Sequence, residues 1–527
     1  MVGVHPSAEL RRRPRLFAAL SAAFPEVRFE GREAGETAGL DALVELGGEE
    51  EARRAAASGL RALAAVAPEG EAGAAAAVEL AAPVDRRLQG QTLPDRHLAG
   101  IPPLAPGGRP AVLARVRTEP VWIREGNLDL AAVAPAELDE AEPLRCRLGG
   151  ERSLALLPLI ELLRELGAGT AWNPPPPRAT FVLDDPNLHW PSYGFLSLPQ
   201  LGRHAAAHGY HLALAMVPLD ARIAHPGAAR LLRKGGEISL CVHGNDHFGG
   251  ELGRVGEPAA ALALAAQARR RIASFAERTG VPVSPVMVPP HEECSEAMAA
   301  ALARTGFAAI SMTRPFPWLS PPPRHWLSGA DADAHLAGWR SADLTADGLP
   351  VLLRHPFTAP HFSSAEVALR AYLDQPLILY GHHDDLAEGL GVLAERAAAV
   401  NRLGAVRWDS MGALANANVH WRLEGDLLRL RPYSRRVSVE VPAGATRAVV
   451  EPPWGADGEQ VETLGAAGEP FEIGAGKRLV LRLRRLDAVP PEAIAAPPRR
   501  PWPLFRRLAG EARDRAAPAR RRLRARA

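Results

Sequence analysis

The middle of the chain predicts a parallel (β/α) barrel of seven or eight strands. Short apolar segments alternate there with helical stretches, from TFVLDD at residues 180–185 to AVRWDS at residues 405–410. This strand–helix alternation favours parallel strand pairing through right-handed crossovers. Seven or eight such units fit a closed barrel better than an open sheet, which remains the alternative.

Changes of pattern divide the 527 residues into four regions. The proline run Pro174–Pro177 cannot continue a helix, so it separates residues 1–173 from a barrel at residues 178–411. Residues 1–173 predict an α/β domain of unknown function. Residues 412–490 alternate apolar and polar side chains between turns, which predicts a small antiparallel, sandwich-like β domain. Residues 491–527 form an arginine-rich tail.

Composition excludes several classes of protein. Hydrophobic residues make up 47% of the chain and charged residues 23%, as in ordinary globular proteins, and a net charge of +2 argues against a nucleic-acid partner. Three cysteines without paired spacing predict neither disulfides nor a thiolate zinc site. Because we find no signal-peptide pattern and no apolar stretch of about 20 residues, we expect a cytoplasmic location.

The tail from Arg499 onward allows two interpretations. The favoured one is a solvated, partly disordered terminus. The alternative is peripheral membrane contact, with Trp502, Leu504 and Phe505 touching lipid and the arginines facing anionic headgroups. The second interpretation would make the protein membrane-associated.

Histidines and carboxylates follow four of the predicted barrel strands. The carboxyl ends of parallel barrel strands converge on one face, where catalytic loops usually lie. We therefore expect that face to bring together Asp184 with Asp185, His243 with His247, His291 with Glu292, and His382 with His383.

The segment HGNDH places His243 and His247 four residues apart, a spacing that puts both on one side of a helical turn. Together with Asp185 they form a set of two imidazoles and one carboxylate, which leaves coordination positions open for metal-assisted hydrolysis. We expect one divalent metal, with zinc favoured over other divalent ions. The same set occurs in non-haem iron oxygenases, but those sites usually lie in β-sandwich-type barrels.

The segment GHHDDL supplies a candidate proton donor. Either His382 or His383 is expected to protonate the leaving group, with a neighbouring carboxylate fixing its tautomer, and His382 is favoured.

The order of these motifs resembles the polysaccharide deacetylases of carbohydrate esterase family four, the NodB-homology group, over about residues 179–410. In that family a double aspartate provides a general base and then a metal ligand, which implies these roles for Asp184 and Asp185. An HxxxH pair provides two more ligands, as HGNDH does here. A late strand ends in the catalytic histidine, and LILYGHH is similar to it. The resemblance implies a deacetylase-type barrel.

The third motif departs from the family pattern. VMVPPHEECS has Val and Met where the family usually has the arginine that orients the catalytic aspartate. His291 or Glu292 is therefore expected to orient that aspartate or to contact the substrate, and Trp190 to stack on a sugar ring.

The resemblance implies deacetylation of an N-acetylated polysaccharide or glycoconjugate. One alternative is a non-catalytic carbohydrate-binding or scaffold protein that retains the fold. A glycosidase that uses paired carboxylates ranks lower, because histidines dominate the predicted site.

Overall fold

The computed structural model describes all residues except 25, 106–107, 140–143, 150, 169–171, 314–341, 346, 360, 453–458, 462–464, 467, 475, 486, 499–500 and 525–527. The described residues form two compact units. The first contains Met1–Trp172 with Ser363–Asp374. The second contains the described residues of Asn173–Trp318, Ser341–Phe362 and Gln375–Ala527.

The first unit is built on a mixed sheet of nine strands. The strands are β1 (Val2–His5), β2 (Phe29–Gly31), β3 (Ala42–Leu46), β4 (Arg61–Pro68), β5 (Ala76–Leu80), β6 (Thr92–Asp95), β7 (Ala111–Val116), β8 (Glu119–Glu125) and β9 (Leu128–Ala134). Their order is β2-β1-β3-β4-β9-β8-β7-β5-β6, parallel as far as β9 and antiparallel beyond it. The predicted α/β character of this region is therefore confirmed.

Five helices accompany this sheet. They are α1 (Ser7–Arg12), α2 (Pro14–Ala23), α3 (Glu50–Ala57), α4 (Leu144–Gly149) and α5 (Ser153–Gly167). The last is the predicted SLALLPLIELLRELG helix, whose leucines recur at helical spacing and are buried.

The second unit contains a closed barrel of seven parallel strands. They are β10 (Arg178–Asp184), β13 (Leu212–Met216), β14 (Ile238–His243), β15 (Val283–Val288), β16 (Ala309–Met312), β18 (Pro350–Pro356) and β19 (Leu377–Gly381). They run in the order β13-β14-β15-β16-β18-β19-β10, and a further pairing between β10 and β13 closes the barrel. The predicted barrel is confirmed, with seven strands.

Four short strands lie beside the barrel. They are β11 (Ser192–Tyr193), β12 (Leu196–Ser197), β17 (Asp343–Leu344) and β20 (Arg407–Trp408). The predicted strand AVRWDS contributes only β20, which pairs with the first two residues of β10 and is not an eighth barrel strand.

Helices connect the barrel strands, as the alternating pattern predicts. They are α6 (Leu198–His208), α7 (Pro226–Arg233), α8 (Pro258–Thr279), α9 (Glu296–Arg304), α10 (Ser364–Tyr372), α11 (Gly391–Asn401) and α12 (Met411–Asn416). Of these, α10 clusters with the first unit. Among the described helices, none is both long and apolar enough to cross a membrane.

The next region forms two four-stranded sheets. One contains β21 (Val419–Glu424), β22 (Leu427–Pro432), β24 (Arg447–Val450) and β27 (Phe471–Glu472), and the other β23 (Arg436–Glu440), β25 (Glu459–Val461), β26 (Gly465–Ala466) and β28 (Arg478–Arg485). Apolar side chains from both sheets share one core, as in a sandwich. The prediction of purely antiparallel pairing is wrong at one place, because β24 pairs parallel with β22. Between these two strands the chain crosses to the second sheet and forms β23.

The tail folds as a helix, α13 (Pro501–Arg524). The expectation of a partly disordered terminus is therefore wrong for these residues. Several of its polar side chains contact the barrel.

Candidate metal centre

The three predicted metal ligands lie together at the carboxyl end of the barrel. Oδ1 of Asp185 is 3.3 Å from Nε2 of His247 and 3.9 Å from Nε2 of His243. The three candidate ligand atoms all lie within 4.8 Å of one another. Because metal–ligand bonds of about 2.0–2.2 Å are usual for zinc, one ion fits between these atoms after small side-chain adjustments.

Each of the two histidines can offer a nitrogen lone pair to a metal, for a different reason. Nδ1 of His243 lies 2.9 Å from the Val288 carbonyl oxygen, so Nδ1–H donates to it and Nε2 keeps its lone pair for a metal. Burial, aided by nearby His243, lowers the pKa of His247 to about 4. This ring is therefore neutral at pH 7, the form that binds metals.

Asp185 is ionised in this environment. Burial raises the pKa of its carboxyl group, but the electrostatic influence of His243, His247 and Arg507 outweighs burial and holds the pKa well below its usual range. Asp185 also has a positive φ of 79°, which is uncommon for a residue other than glycine. Its side chain lies with His243 and His247, whereas that of Asp184 meets Arg354.

The HGNDH segment forms a loop, not the helical turn expected from its spacing. Gly244 and His247 have φ angles of 63° and 52°, and a Cβ at Gly244 would lie 2.6 Å from both Pro290 and Glu251. The Glu251 carboxylate accepts hydrogen bonds of 2.7–3.0 Å from three successive backbone N–H groups, ending at His247. This loop brings the two imidazole rings to a centroid distance of 4.9 Å.

Arg354, on β18, is a site residue that the sequence patterns did not single out. Its Nη1 lies 2.9 and 2.8 Å from the two carboxylate oxygens of Asp184, and its Nε lies 2.8 Å from Oε1 of Glu292. The side chains of Arg354 and Asp184 are each only 3% exposed. An arginine therefore orients Asp184, but it comes from the sixth barrel strand along the chain and not from the third motif.

The two residues of the third motif have different surroundings. Glu292 also accepts a hydrogen bond of 2.7 Å from the backbone N–H of Thr313, so its carboxylate holds Arg354 and orients Asp184 only through that arginine. The exposed His291 has its ring centroid 5.3 Å from that of His247. His291 is therefore the third-motif side chain that lies beside the candidate ligands.

His382 follows β19, which pairs with β10, so it lies at the same end of the barrel as Asp184 and Asp185. It is half exposed, and its charge is one of the influences that lower the pKa of Asp185. Its backbone N–H donates to Oδ2 of Asp385 at 2.7 Å, which begins the 3₁₀ turn His383–Leu386. This position keeps the His382 ring accessible to a substrate.

His383 is buried and has mainly packing contacts. Its ring lies against those of Tyr193 and Phe195, and its Nε2 is 3.6 Å from Oδ2 of Asp514 in α13. Of the two histidines, His383 is the less accessible to a substrate.

Gly194 provides a test of this packing. It has a φ of +53°, and an added Cβ would lie 2.8 Å from Cε1 and Cγ of His383. We expect Gly194→Ala to destabilise the protein by about 2 kcal/mol in chemical unfolding, from backbone strain and steric overlap together. Gly209→Ala is the control, because Gly209 has a φ of +65° with nothing within 4 Å of the added Cβ. Equal effects of the two changes would contradict the close contact with His383.

Helix α13 contributes charged side chains to the same end of the barrel. Arg507 places Nη1 3.1 Å from Oδ1 of Asp185 and Nη2 2.5 Å from Oδ2 of Asp220. Asp514 accepts a hydrogen bond of 2.7 Å from the Tyr193 hydroxyl. The regular spacing of polar residues in the tail could have indicated these contacts in the sequence. Many helices that face only solvent show the same spacing, so it does not identify a partner.

Trp190, the predicted sugar-stacking residue, lies at the edge of this region. Its side chain is 56% exposed, its ring is stacked on His225 at 6.1 Å, and the guanidinium of Arg515 in α13 lies 5.9 Å from its centroid. An exposed indole of this kind is available for stacking on a ligand.

No protein-family model and no curated protein matches the chain. The barrel resembles solved polysaccharide deacetylases. A Mycobacterium smegmatis protein assigned to that activity is 18% identical over 47% of this chain and 92% of its own, with a TM-score of 0.31.

Two further structures are similar. A carbohydrate esterase family four esterase from Streptococcus mutans is 12% identical over 44% of this chain and 85% of its own, with a TM-score of 0.26. A polysaccharide deacetylase from Bacillus cereus is 14% identical over 44% and 91%, with a TM-score of 0.25.

Proposed function

We propose that this chain is a metal-dependent hydrolase that deacetylates an N-acetylated polysaccharide or glycoconjugate. The observation that carries the proposal is the division of roles between two adjacent carboxylates. Asp185 lies with His243 and His247, whereas Asp184 is bound by Arg354. A metal ligand and a general base can therefore stand side by side at one end of the barrel.

The metal site fits a divalent ion. Asp185, His243 and His247 would hold it, and a nitrogen-rich set of this kind favours zinc. When bound, the ion would polarise an acyl carbonyl and lower the pKa of a water molecule.

Asp184 is the proposed general base. The bond to Arg354 fixes the orientation of its carboxylate, whose oxygens can accept a proton from the attacking water. Water then adds to the carbonyl carbon of the acetamide.

His382 is the proposed general acid. It is accessible and lies on the side of Asp185, so a protonated His382 can donate to the departing nitrogen. The C–N bond breaks as that proton arrives, and acetate and a free amine leave. Acid–base steps of this kind typically contribute about 10²–10⁴-fold to a rate.

The sequence resemblance supports this substrate class, and two side chains could contact a sugar. The exposed Trp190 offers a stacking surface for a sugar ring, and His291 lies beside His247. The test is acetate release from N-acetylglucosamine oligomers by the zinc-loaded full chain. We expect release that stops when a chelator removes the metal. Absence of release from a broad panel of N-acetylated glycans would reject the proposal.

The second candidate is a carbohydrate-binding protein without catalysis. It is favoured by one observation, the position of Arg507 on the carboxylate of Asp185. A cation held there competes with a divalent ion for the same oxygen. This candidate predicts that the full chain binds N-acetylated oligomers in calorimetry but releases no acetate from them, with or without added zinc.

A further inference from the structure

Helix α13 has its polar side turned toward the barrel. Its barrel-facing residues recur every three or four positions, and they include Arg507, Glu511 and Asp514. Glu511 is 2.7 Å from Nδ1 of His189 and is almost completely buried. The inner face of the helix is therefore held by ion pairs and hydrogen bonds.

The outer face of α13 carries the large apolar side chains. Trp502, Phe505, Leu508 and Leu523 are exposed by 63%, 62%, 46% and 68%. Helices of globular proteins normally bury such residues and expose the charged ones. The arrangement in α13 is the reverse, so packing on the barrel does not explain its apolar residues.

Arginines border this apolar face. The exposed Arg506, Arg513 and Arg520 recur every seven residues, so they form one row along the helix beside Trp502. Over Pro501–Arg524 there are eight arginines and two acidic residues, a net charge of +6. Arg507 and Arg515 pair with carboxylates on the barrel side and Arg513 pairs with Asp514, so the excess positive charge comes mainly from Arg506 and from the arginines that begin at Arg520. The outer surface of α13 is therefore both apolar and strongly basic.

Phe248 extends the apolar surface beyond the helix. It follows the HGNDH loop, is 38% exposed, and its ring centroid lies 5.5 Å from the guanidinium of Arg506. Leu504, expected from the sequence to touch lipid, instead lines a cleft of about 1370 Å³ with Phe248 and Arg271. The exposed apolar contacts thus come from Trp502, Phe505 and Leu508.

We propose that the outer face of α13 docks on an anionic lipid bilayer. Trp, Phe and Leu side chains enter the boundary between headgroups and acyl chains, and arginines beside them attract anionic headgroups. The positive charge of the helix favours binding to an anionic bilayer over binding to a neutral surface. The polar inner face stays on the barrel, so binding needs no unfolding of the helix. The lipid surface then lies on the opposite side of α13 from Asp185.

The experiment is co-sedimentation of the full chain with vesicles. One set contains phosphatidylcholine with about 30% phosphatidylglycerol, a fraction chosen to resemble an anionic leaflet. The other set contains phosphatidylcholine alone. We expect partitioning to be about tenfold stronger on the anionic vesicles and to fall as salt is added.

Substitutions assign the binding to the outer face. The triple variant Trp502→Ser, Phe505→Ser, Leu508→Ser should bind anionic vesicles about tenfold more weakly, with an unchanged circular dichroism spectrum. Val480→Ser is the control, because Val480 is 49% exposed on β28, outside this helix, and its change should leave binding unchanged.

Three results would overturn the proposal. They are equal partitioning on neutral and anionic vesicles, wild-type binding by the triple variant, and a dimer in light scattering that the triple variant abolishes while no vesicle binding occurs. The last result would identify the face as a contact between two copies of the chain. All of these results are independent of acetate release, so they do not depend on the proposed function.

Discussion

Asp184→Asn should lower the rate of acetate release by about 10³-fold while the metal content stays unchanged. Asn keeps one oxygen that can accept the hydrogen bond from Arg354, so the buried contact is largely preserved. It cannot accept the proton of the attacking water. The measurement is kcat on an N-acetylglucosamine oligomer, with the metal content of the same samples determined by mass spectrometry.

The neighbouring residue provides the matched control. Asp185→Asn changes the same chemical group one position later, and it should reduce both metal content and activity, because Asp185 lies with His243 and His247. If Asp184→Asn retained activity within about threefold of the wild type, far less than the loss of a general base usually causes, Asp184 would not be the base.

Arg354→Met should lower the free energy of unfolding by about 3–5 kcal/mol. The change leaves the buried carboxylate of Asp184 and the partly buried carboxylate of Glu292 without their common partner. An unpaired buried charge is costly because its lost hydration is no longer offset. Chemical unfolding of the full chain, followed by fluorescence, measures the effect.

Two further variants show whether the stability lost in Arg354→Met comes from breaking the buried ion pair. Arg447→Met removes the same side chain from a surface pair with Asp426, both about half exposed, and should change the free energy of unfolding far less than Arg354→Met, because water screens exposed pairs. Arg354→Lys keeps the charge but cannot reach both carboxylates with one planar group, so it should be intermediate. A cost for Arg354→Met as small as that for Arg447→Met would contradict the buried-pair account.

The barrel and its polar end could be predicted from the sequence because both depend on local patterns. Alternating apolar strands and helices specify parallel strands, and residues that follow such strands converge whatever the loops do. Asp185, His243 and His247 therefore come together as predicted. The spacing of the two histidines in HGNDH did not determine the conformation of this segment. That conformation depends on the close contact of Gly244 with Pro290 and on backbone hydrogen bonds to Glu251.

The contacts that could not be predicted join distant parts of the chain. Arg354 binds Asp184, 170 positions earlier in the chain, and nothing in the sequence around an arginine in a strand indicates which distant carboxylate it will pair with. Arg507 meets Asp185 across 322 positions. The basic composition of the tail suggested a solvated segment, whereas the helix places paired polar groups inward and apolar groups outward.

Metal content tests the central claim most directly. The full chain is loaded with zinc, dialysed and analysed by mass spectrometry beside the double variant His243→Ala, His247→Ala. Because even outer-shell changes cost about 10–100-fold in metal affinity, loss of two ligands should weaken binding by more than about 100-fold. We expect one zinc ion per wild-type chain and almost none in the variant. Equal zinc in the two proteins would contradict a metal centre at Asp185, His243 and His247.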